Sequence, residues 1–283
     1  MGVHSKYLTR QIVESLTIAE TNEGKELIAT WLLEHLTGLE RADLLKDTVV
    51  EVDGRRLRTF VDRINNDEPI QYVLGEAWFY GRKFYVHRGV LIPRPETELI
   101  VDEVKAHLST RTLAAEILDI ATGSGCIAVT LALEITHANV HATDTSVVAL
   151  EQAKQNAIVL KAAVNFHLHD ILREPLHFKG LQVIVSNPPY VRFSEQSSMS
   201  RNVLAFEPPE ALFVPDDDPL CFHRHIAIKA QTALSPGGLL ITEINEVLGS
   251  QTAELFEKSG YVQVRIIHDL TGRDRFVAGI KGD

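Results

Sequence analysis

The chain has 283 residues, 45% hydrophobic and 23% charged, a globular composition long enough for two domains at roughly 100–200 residues each. Lys and Arg number 28 against 38 Asp and Glu, and the net charge of −10 excludes a coat that holds nucleic acid by bulk positive charge. Cys126 and Cys221 are too few and too far apart for a disulfide framework, no run of roughly 18 apolar residues exists, and the opening MGVHSKYLTRQIVE lacks a secretory pattern. A cytoplasmic protein without membrane spans is expected.

From Leu8 to about Asp67 the pattern is helical, with Leu27, Ile28, Trp31, Leu32 and Leu36 at the spacing of one buried face. Turn residues at Asn22-Glu23-Gly24, Thr37-Gly38 and Val52-Asp53-Gly54 divide it into three or four short helices, a small bundle over residues 1–74. Residues 75–92 are aromatic and β-prone around Gly81-Arg82, which predicts a β-hairpin linker. Residues 93–283 form the second domain. A helix is expected over Thr97–Leu108, and from Ala115 short apolar runs alternate with helical stretches as in an open α/β sheet. Strands are predicted at Glu116–Ile120, Val140–Thr143, Asn165–Leu168, Val183–Ser186, Leu239–Ile244, Val262–Ile267 and Arg275–Ile280. Helices are expected at Cys126–Glu134, Val147–Leu160, Leu220–Leu234 and Ser250–Lys258. The short link between the last two strands suits an antiparallel hairpin closing an otherwise parallel sheet.

The strand ending in Asp119-Ile120 runs into Ala121-Thr122-Gly123-Ser124-Gly125 and then a helix. Glycine at 123 and 125 lets a ligand approach the backbone and permits positive φ, and Asp144, ending the next strand, offers a carboxylate to ribose hydroxyls. Asp119 either orients the loop or approaches the ligand's amino group. The loop alone fits a nicotinamide dinucleotide as well as S-adenosylmethionine.

The strand Val183–Ser186 leads directly into Asn187-Pro188-Pro189-Tyr190. Two prolines cannot continue a sheet, and the Asn187 side-chain oxygen and the Pro188 carbonyl can each accept one N–H of a planar amino group. Anchoring both protons favours the more tetrahedral nitrogen that attacks a sulfonium methyl, and Tyr190 is expected to pack on the flat group. His167-x-His169 and His223-x-His225 are joined by neither a cysteine nor a nearby HExxH pattern, so no metal site is expected.

With these residues the chain resembles the release-factor glutamine methyltransferases, the HemK/PrmC-like proteins. The likeness runs from roughly Pro69 to Ile280. It rests on Pro69-Ile70-Gln71-Tyr72-Val73-Leu74-Gly75, on Leu91-Ile92-Pro93-Arg94-Pro95-Glu96-Thr97-Glu98, on the glycine loop, Asp144 and Asn187-Pro188-Pro189-Tyr190, on Phe206-Glu207-Pro208-Pro209-Glu210-Ala211-Leu212, and on Asp269, Gly272 and Arg275. The resemblance implies a seven-stranded, Rossmann-like methyltransferase sheet that uses S-adenosylmethionine and releases S-adenosylhomocysteine. The implied substrate is the glutamine side-chain amide in the Gly-Gly-Gln motif of peptide chain release factors, with adenine N-methylation of DNA or RNA as the alternative. By the same carry-over Asp119, Ala121, Thr122, Gly123, Ser124 and Gly125 surround the cofactor, Asp144 holds its ribose, and Asp170 and Ile171 lie by its adenine. Asn187, Pro188, Pro189 and Tyr190 hold the glutamine, with Asn187 also bordering the cofactor. The bundle grips the release factor, and no nucleic-acid or membrane partner and a monomer are expected. Two residues depart from the family: Ala121 and Asn245 stand where glycine is usual, and Asn245 is expected to tolerate a left-handed backbone.

Overall fold

The computed structural model describes residues 2–109 and 114–283. By their contacts they form two compact units, one of residues 1–76 with 200–206 and the other of residues 77–199 with 207–283.

The first unit is helical, with helices Ser5–Ser15, Asn22–Thr37, Arg41–Leu45, Gly54–Asn65 and Ile70–Leu74, and with Arg201–Phe206 falling in the same unit. The helix ends follow local chemistry. Thr21 caps Asn22–Thr37 by accepting from the Gly24 N–H at 3.1 Å, and Gly38 ends it at φ 70°, where a side chain would be strained. Asp53 caps Gly54–Asn65 through the Arg55 N–H at 2.8 Å. Along Asn22–Thr37 the fully buried residues are Ala29, Leu32 and Leu33, while Ile28, Trp31 and Leu36 pack at the flank. The face is thus turned from the predicted one: Ala29 and Leu33 are buried, while Leu27 is only half-buried. A two-residue ladder, Val3–His4 against Val49–Val50, was invisible to periodicity because it is too short to show any. Arg63 holds the end of the unit by donating to both Glu68 oxygens at 2.8 Å and to the carbonyls of Tyr72 and Val73 at 3.0 and 3.2 Å.

The second unit contains a seven-stranded sheet. Its strands, in chain order, are β1 (Ala115–Ile120), β2 (Ala138–Asp144), β3 (Val164–Leu168), β4 (Leu181–Ser186), β5 (Leu234–Glu243), β6 (Tyr261–His268) and β7 (Asp274–Lys281). In space they lie in the order β6-β7-β5-β4-β1-β2-β3, with β7 antiparallel to β5 and β6 and the remaining pairs parallel. The helices beside it are α1 (Glu98–Leu108), α2 (Cys126–Glu134), α3 (Val147–Leu160), α4 (Cys221–Ala233) and α5 (Gly249–Lys258). Every residue of α2 from Cys126 to Leu131 is buried, as expected of a helix apolar on all sides.

One strand departs from expectation by several residues. β5 starts at Leu234 rather than Leu239, with a register irregularity spanning Ser235-Pro236-Gly237-Gly238. The turn residues masked the strand, and Gly238 is needed there because a Cβ would lie 2.8 Å from the Ser235 carbonyl oxygen. The predicted hairpin is present as Glu76–Phe79 and Arg82–Tyr85, turning at Tyr80 (φ 51°) and Gly81 (φ 70°). Its inward residues Phe79 and Phe84 are fully buried in the sheet unit's core and meet edge to face at 6.1 Å. Chain order reverses between β1 and β4, so a crevice opens at the carboxyl ends of these adjacent strands, the place where open α/β sheets hold ligands. No described helix is long and apolar enough to cross a membrane.

Candidate active site

The crevice is a cavity lined by the loop after β1, by Asp144 at the end of β2, by His169, Asp170 and Ile171 after β3, and by Asn187 and Pro189 after β4. Two further segments complete it: residues 89–94 with Thr97, and Pro208, Glu210 and Ala211.

The loop after β1 is left-handed at three positions, Ala121 (φ 60°), Gly123 (φ 55°) and Gly125 (φ 79°). The two glycines serve different ends. A Cβ on Gly123 would meet nothing within 4 Å, so that position leaves space open, whereas a Cβ on Gly125 would stand 2.9 Å from the Ala153 Cβ and 3.1 Å from its Cα. Gly125 is therefore required by the packing of α3, a reason the sequence could not show. Ala121 carries a left-handed strain on the order of 1–2 kcal/mol. Ala121→Gly is expected to raise stability by about 1 kcal/mol without weakening cofactor binding, as read by chemical denaturation and calorimetry. A loss of stability would show that the methyl group's contacts outweigh the strain.

Asp144 ties the loop to the sheet: its Oδ2 accepts from the Gly123 N–H and its Oδ1 from the Ser146 N–H, each at 2.9 Å. Each oxygen keeps a lone pair for a further donor. Asp119 is fully buried and is not part of the cavity lining; Thr122 Oγ1 donates to its Oδ2 at 2.6 Å, so the structure places it beneath the loop as its support. Burial pushes the Asp119 carboxyl up to about 7, against the opposing Thr122 hydrogen bond. Its contribution to stability is thus complete below the unfolded-state carboxylate range and is lost as pH rises through about 7. Asp119→Asn is expected to stabilise the ligand-free protein more at pH 8 than at pH 5, by roughly 2–3 kcal/mol, as read by denaturant titration. Equal gains at both pH values would contradict an anion held at that site.

Sequence reasoning missed Asn156 on α3. It donates to the Ser124 carbonyl at 2.8 Å and to the Tyr85 carbonyl at 3.0 Å, and it accepts from the Tyr85 N–H at 2.8 Å, so one buried amide fixes both glycine loop and hairpin. Only its position in a helix of mixed polarity marks it in the sequence.

At the end of β4, Ser186 donates to the Ile120 carbonyl at 2.7 Å and holds that strand end to β1. Asn187 and Pro189 line the cavity, while Pro188 and Tyr190 do not contribute to its lining. The Tyr190 hydroxyl instead donates to Glu243 Oε1 at 2.9 Å, and burial together with that carboxylate holds the phenol well above its ordinary pKa. Glu243 also accepts from Thr97 Oγ1 at 2.6 Å, and Thr97 in turn faces the Asn187 side-chain nitrogen at 3.4 Å. Asn245 has φ −68° and not the left-handed backbone anticipated for it. Its Oδ1 caps the following turn through the Val247 N–H at 3.1 Å, and its Nδ2 donates to the Tyr190 carbonyl at 3.2 Å and to Glu195 Oε2 at 2.8 Å. The end of β5 thereby holds the Asn-Pro-Pro-Tyr loop at Tyr190 by both its hydroxyl and its carbonyl.

The two flanking segments are fastened by a buried acid. Glu207 accepts from Arg94 Nη2 at 2.7 Å and from the Ile92 N–H at 3.3 Å, so Ile92-Pro93-Arg94 and Pro208-Pro209-Glu210 stand together beside Asn187. His223 on α4 is buried with Nε2 donating to the Glu243 carbonyl at 2.9 Å, and burial pushes its pKa down to about 4. The Cys126 thiol is pushed up to about 12 by burial, which removes it as a nucleophile. His167 meets His141, with ring centroids 5.4 Å apart.

Two family models match the chain: residues 95–213 fit the methyltransferase small domain and residues 8–75 the PrmC N-terminal domain. A release factor glutamine methyltransferase of Flavobacterium psychrophilum is 39% identical over 272 residues, which cover 94% of this chain and 95% of that protein. A protein of the same name from Bacteroides thetaiotaomicron is 39% identical over 274 residues, covering 95% and 98%. Among solved structures, a methyltransferase from Pyrococcus furiosus has a TM-score of 0.50 at 19% identity and covers 78% of this chain and 98% of its own, a likeness of fold.

Proposed function

The chain belongs to the release factor glutamine methyltransferase family, and on that premise we propose that it methylates the side-chain amide nitrogen of the Gly-Gly-Gln glutamine in a peptide chain release factor. The observation that supports this most is the single cavity that joins the Asp144 carboxylate to the Asn187 amide.

The residues present fit S-adenosylmethionine. Asp144 keeps acceptor capacity on both oxygens for vicinal ribose hydroxyls, Gly123 leaves open space at the loop, and Asp170 and Ile171 border the cavity on the adenine side. When bound, that cofactor supplies a sulfonium methyl. The protein's part is to hold the amide nitrogen. The Asn187 side-chain oxygen accepts one N–H at the cavity wall beside Ile92, Pro93 and Pro208, and the second falls to the Pro188 carbonyl, which lies outside that lining, between the lining residues Asn187 and Pro189. Both hydrogen bonds would strengthen as the amide nitrogen gives up its conjugation and becomes more tetrahedral. The departing proton becomes acidic only after alkylation, so no strong base is required. Tyr190, anchored to Glu243, supports the loop and does not line the cavity.

Residues 1–74 are assigned to recognition of the release factor, 75–92 to the link and 93–283 to catalysis, in a monomer working in the cytoplasm without nucleic-acid contact. Transfer of labelled methyl to a purified release factor tests this reading, with an adenine-containing duplex offered in parallel. Label on the factor is expected. Label on the duplex alone would move the chain to the nucleic-acid methyltransferases.

A further inference from the structure

Glu243 is buried at the end of β5, and the methyl transfer described above makes no use of it. Both its oxygens accept hydroxyl protons, Oε2 from Thr97 at 2.6 Å and Oε1 from Tyr190 at 2.9 Å. A hydroxyl has one proton to give. That of Thr97 is committed to the carboxylate, so Thr97 presents only lone pairs to Asn187. The Asn187 amide, at 3.4 Å, can meet it only through its –NH₂ end, which turns the carbonyl oxygen away from Thr97. That oxygen accepts from no protein group among the described residues. The two ends of an amide are nearly equal in size, so packing alone chooses poorly between them, whereas a hydrogen-bond partner of fixed polarity chooses well.

We propose that Glu243, acting through Thr97, sets the orientation of the Asn187 amide and so makes the site present an acceptor, not a donor, to the substrate nitrogen. The inference rests on the reading of Asn187 as the group that holds the glutamine. Glu243 and Thr97 are positioning residues in this scheme. Its polarity requires Glu243 as the anion: a protonated Glu243 donates to Thr97, frees the Thr97 proton to face Asn187, and turns the amide over. Burial raises the Glu243 pKa, the hydrogen bonds from Thr97 and Tyr190 and the charge of Arg275 on β7 favour the anion, Glu96 beside Thr97 opposes it, and Cys126 and His223, the latter bonded to its backbone carbonyl, also face it. Glutamine at 243 imitates the protonated acid at nearly constant volume, since its –NH₂ is a donor where the anion has none.

The decisive experiment follows the Asn187 side-chain –NH₂ by ¹⁵N nuclear magnetic resonance in the protein without substrate, with kinetics on the same variants. In the wild type the –NH₂ protons are expected to exchange slowly. Thr97→Val and Glu243→Gln should each speed that exchange about tenfold and lower kcat by about tenfold or more, with S-adenosylhomocysteine affinity unchanged. Thr97→Ser, which restores the hydroxyl, should recover both readouts. A shift of the acid limb of the wild-type kcat profile that disappears in Glu243→Gln would be a further support. Asn187 exchange and kcat that stay at wild-type values in Thr97→Val or in Glu243→Gln overturn the inference, and either variant suffices should the other fail to fold. Absence of methyl transfer by the wild type would count against the proposed function alone, because the resonance of Asn187 reports its orientation with no substrate present.

Discussion

Asn187→Ala is expected to lower kcat on a release factor on the order of a hundredfold or more while the affinity for S-adenosylhomocysteine stays within a few fold. The asymmetry follows from where the side chain acts. Asn187 contributes one of two acceptors for the amide nitrogen, and the strength of that bond grows as the nitrogen becomes more tetrahedral, so its loss falls on the transition state. The cofactor side of the cavity depends on different groups, the loop after β1 and Asp144, which the substitution leaves in place. Asn187→Asp is a sharper companion: it preserves the acceptor and the volume but loses the –NH₂ that faces Thr97. An alanine variant of full activity would remove Asn187 from the mechanism.

Asp144→Ala is expected to produce the largest loss of cofactor affinity, roughly a hundredfold to a thousandfold, as read by calorimetry with S-adenosylhomocysteine. Two contributions add. The variant loses the charged acceptor for ribose hydroxyls, worth about 1.5–3 kcal/mol per hydrogen bond to a charged group. It also frees the Gly123 and Ser146 N–H groups that the carboxylate now holds at 2.9 Å, so the loop must be ordered at the expense of binding. Asp144→Asn separates the two: it can still accept from one backbone N–H but brings a donor to the other. Affinity unchanged in both variants would place the ribose elsewhere.

The sequence was most legible where a residue's chemistry is local. Gly123, Asp144 and Asn187 could be singled out because a strand, a turn and a functional group follow one another within a few residues, and the sheet carried them to one crevice. Chain order reverses between β1 and β4, and this brings together strand ends remote in sequence. The supporting residues were not legible for the same reason inverted. Glu243 reads as the polar end of an apolar strand, Thr97 as the start of a helix, and Asn156 as one more polar position in α3. Their roles arise from contacts across 146, 53 and 71 positions of sequence, which no local pattern encodes. Asn245 was misread for a related reason: the expectation concerned its backbone, whereas what matters is the side chain that caps one turn and holds Tyr190.

The distinction between Gly123 and Gly125 belongs here too. Both read as one motif, yet the first leaves space open while the second makes room for Ala153. Likewise, the pairing of Arg94 with Glu207 explains why two motifs 113 residues apart occur in one chain: each is the other's anchor.

The most direct test of the central claim is tandem mass spectrometry of a release factor after incubation with this protein and S-adenosylmethionine, locating the added methyl group residue by residue. The account predicts one methyl on the side-chain nitrogen of the Gly-Gly-Gln glutamine, and on the order of a hundredfold less when Asn187→Ala replaces the wild type at equal time and concentration. Methyl groups on another residue of the factor, or an unmodified glutamine after full turnover of the cofactor, would contradict it.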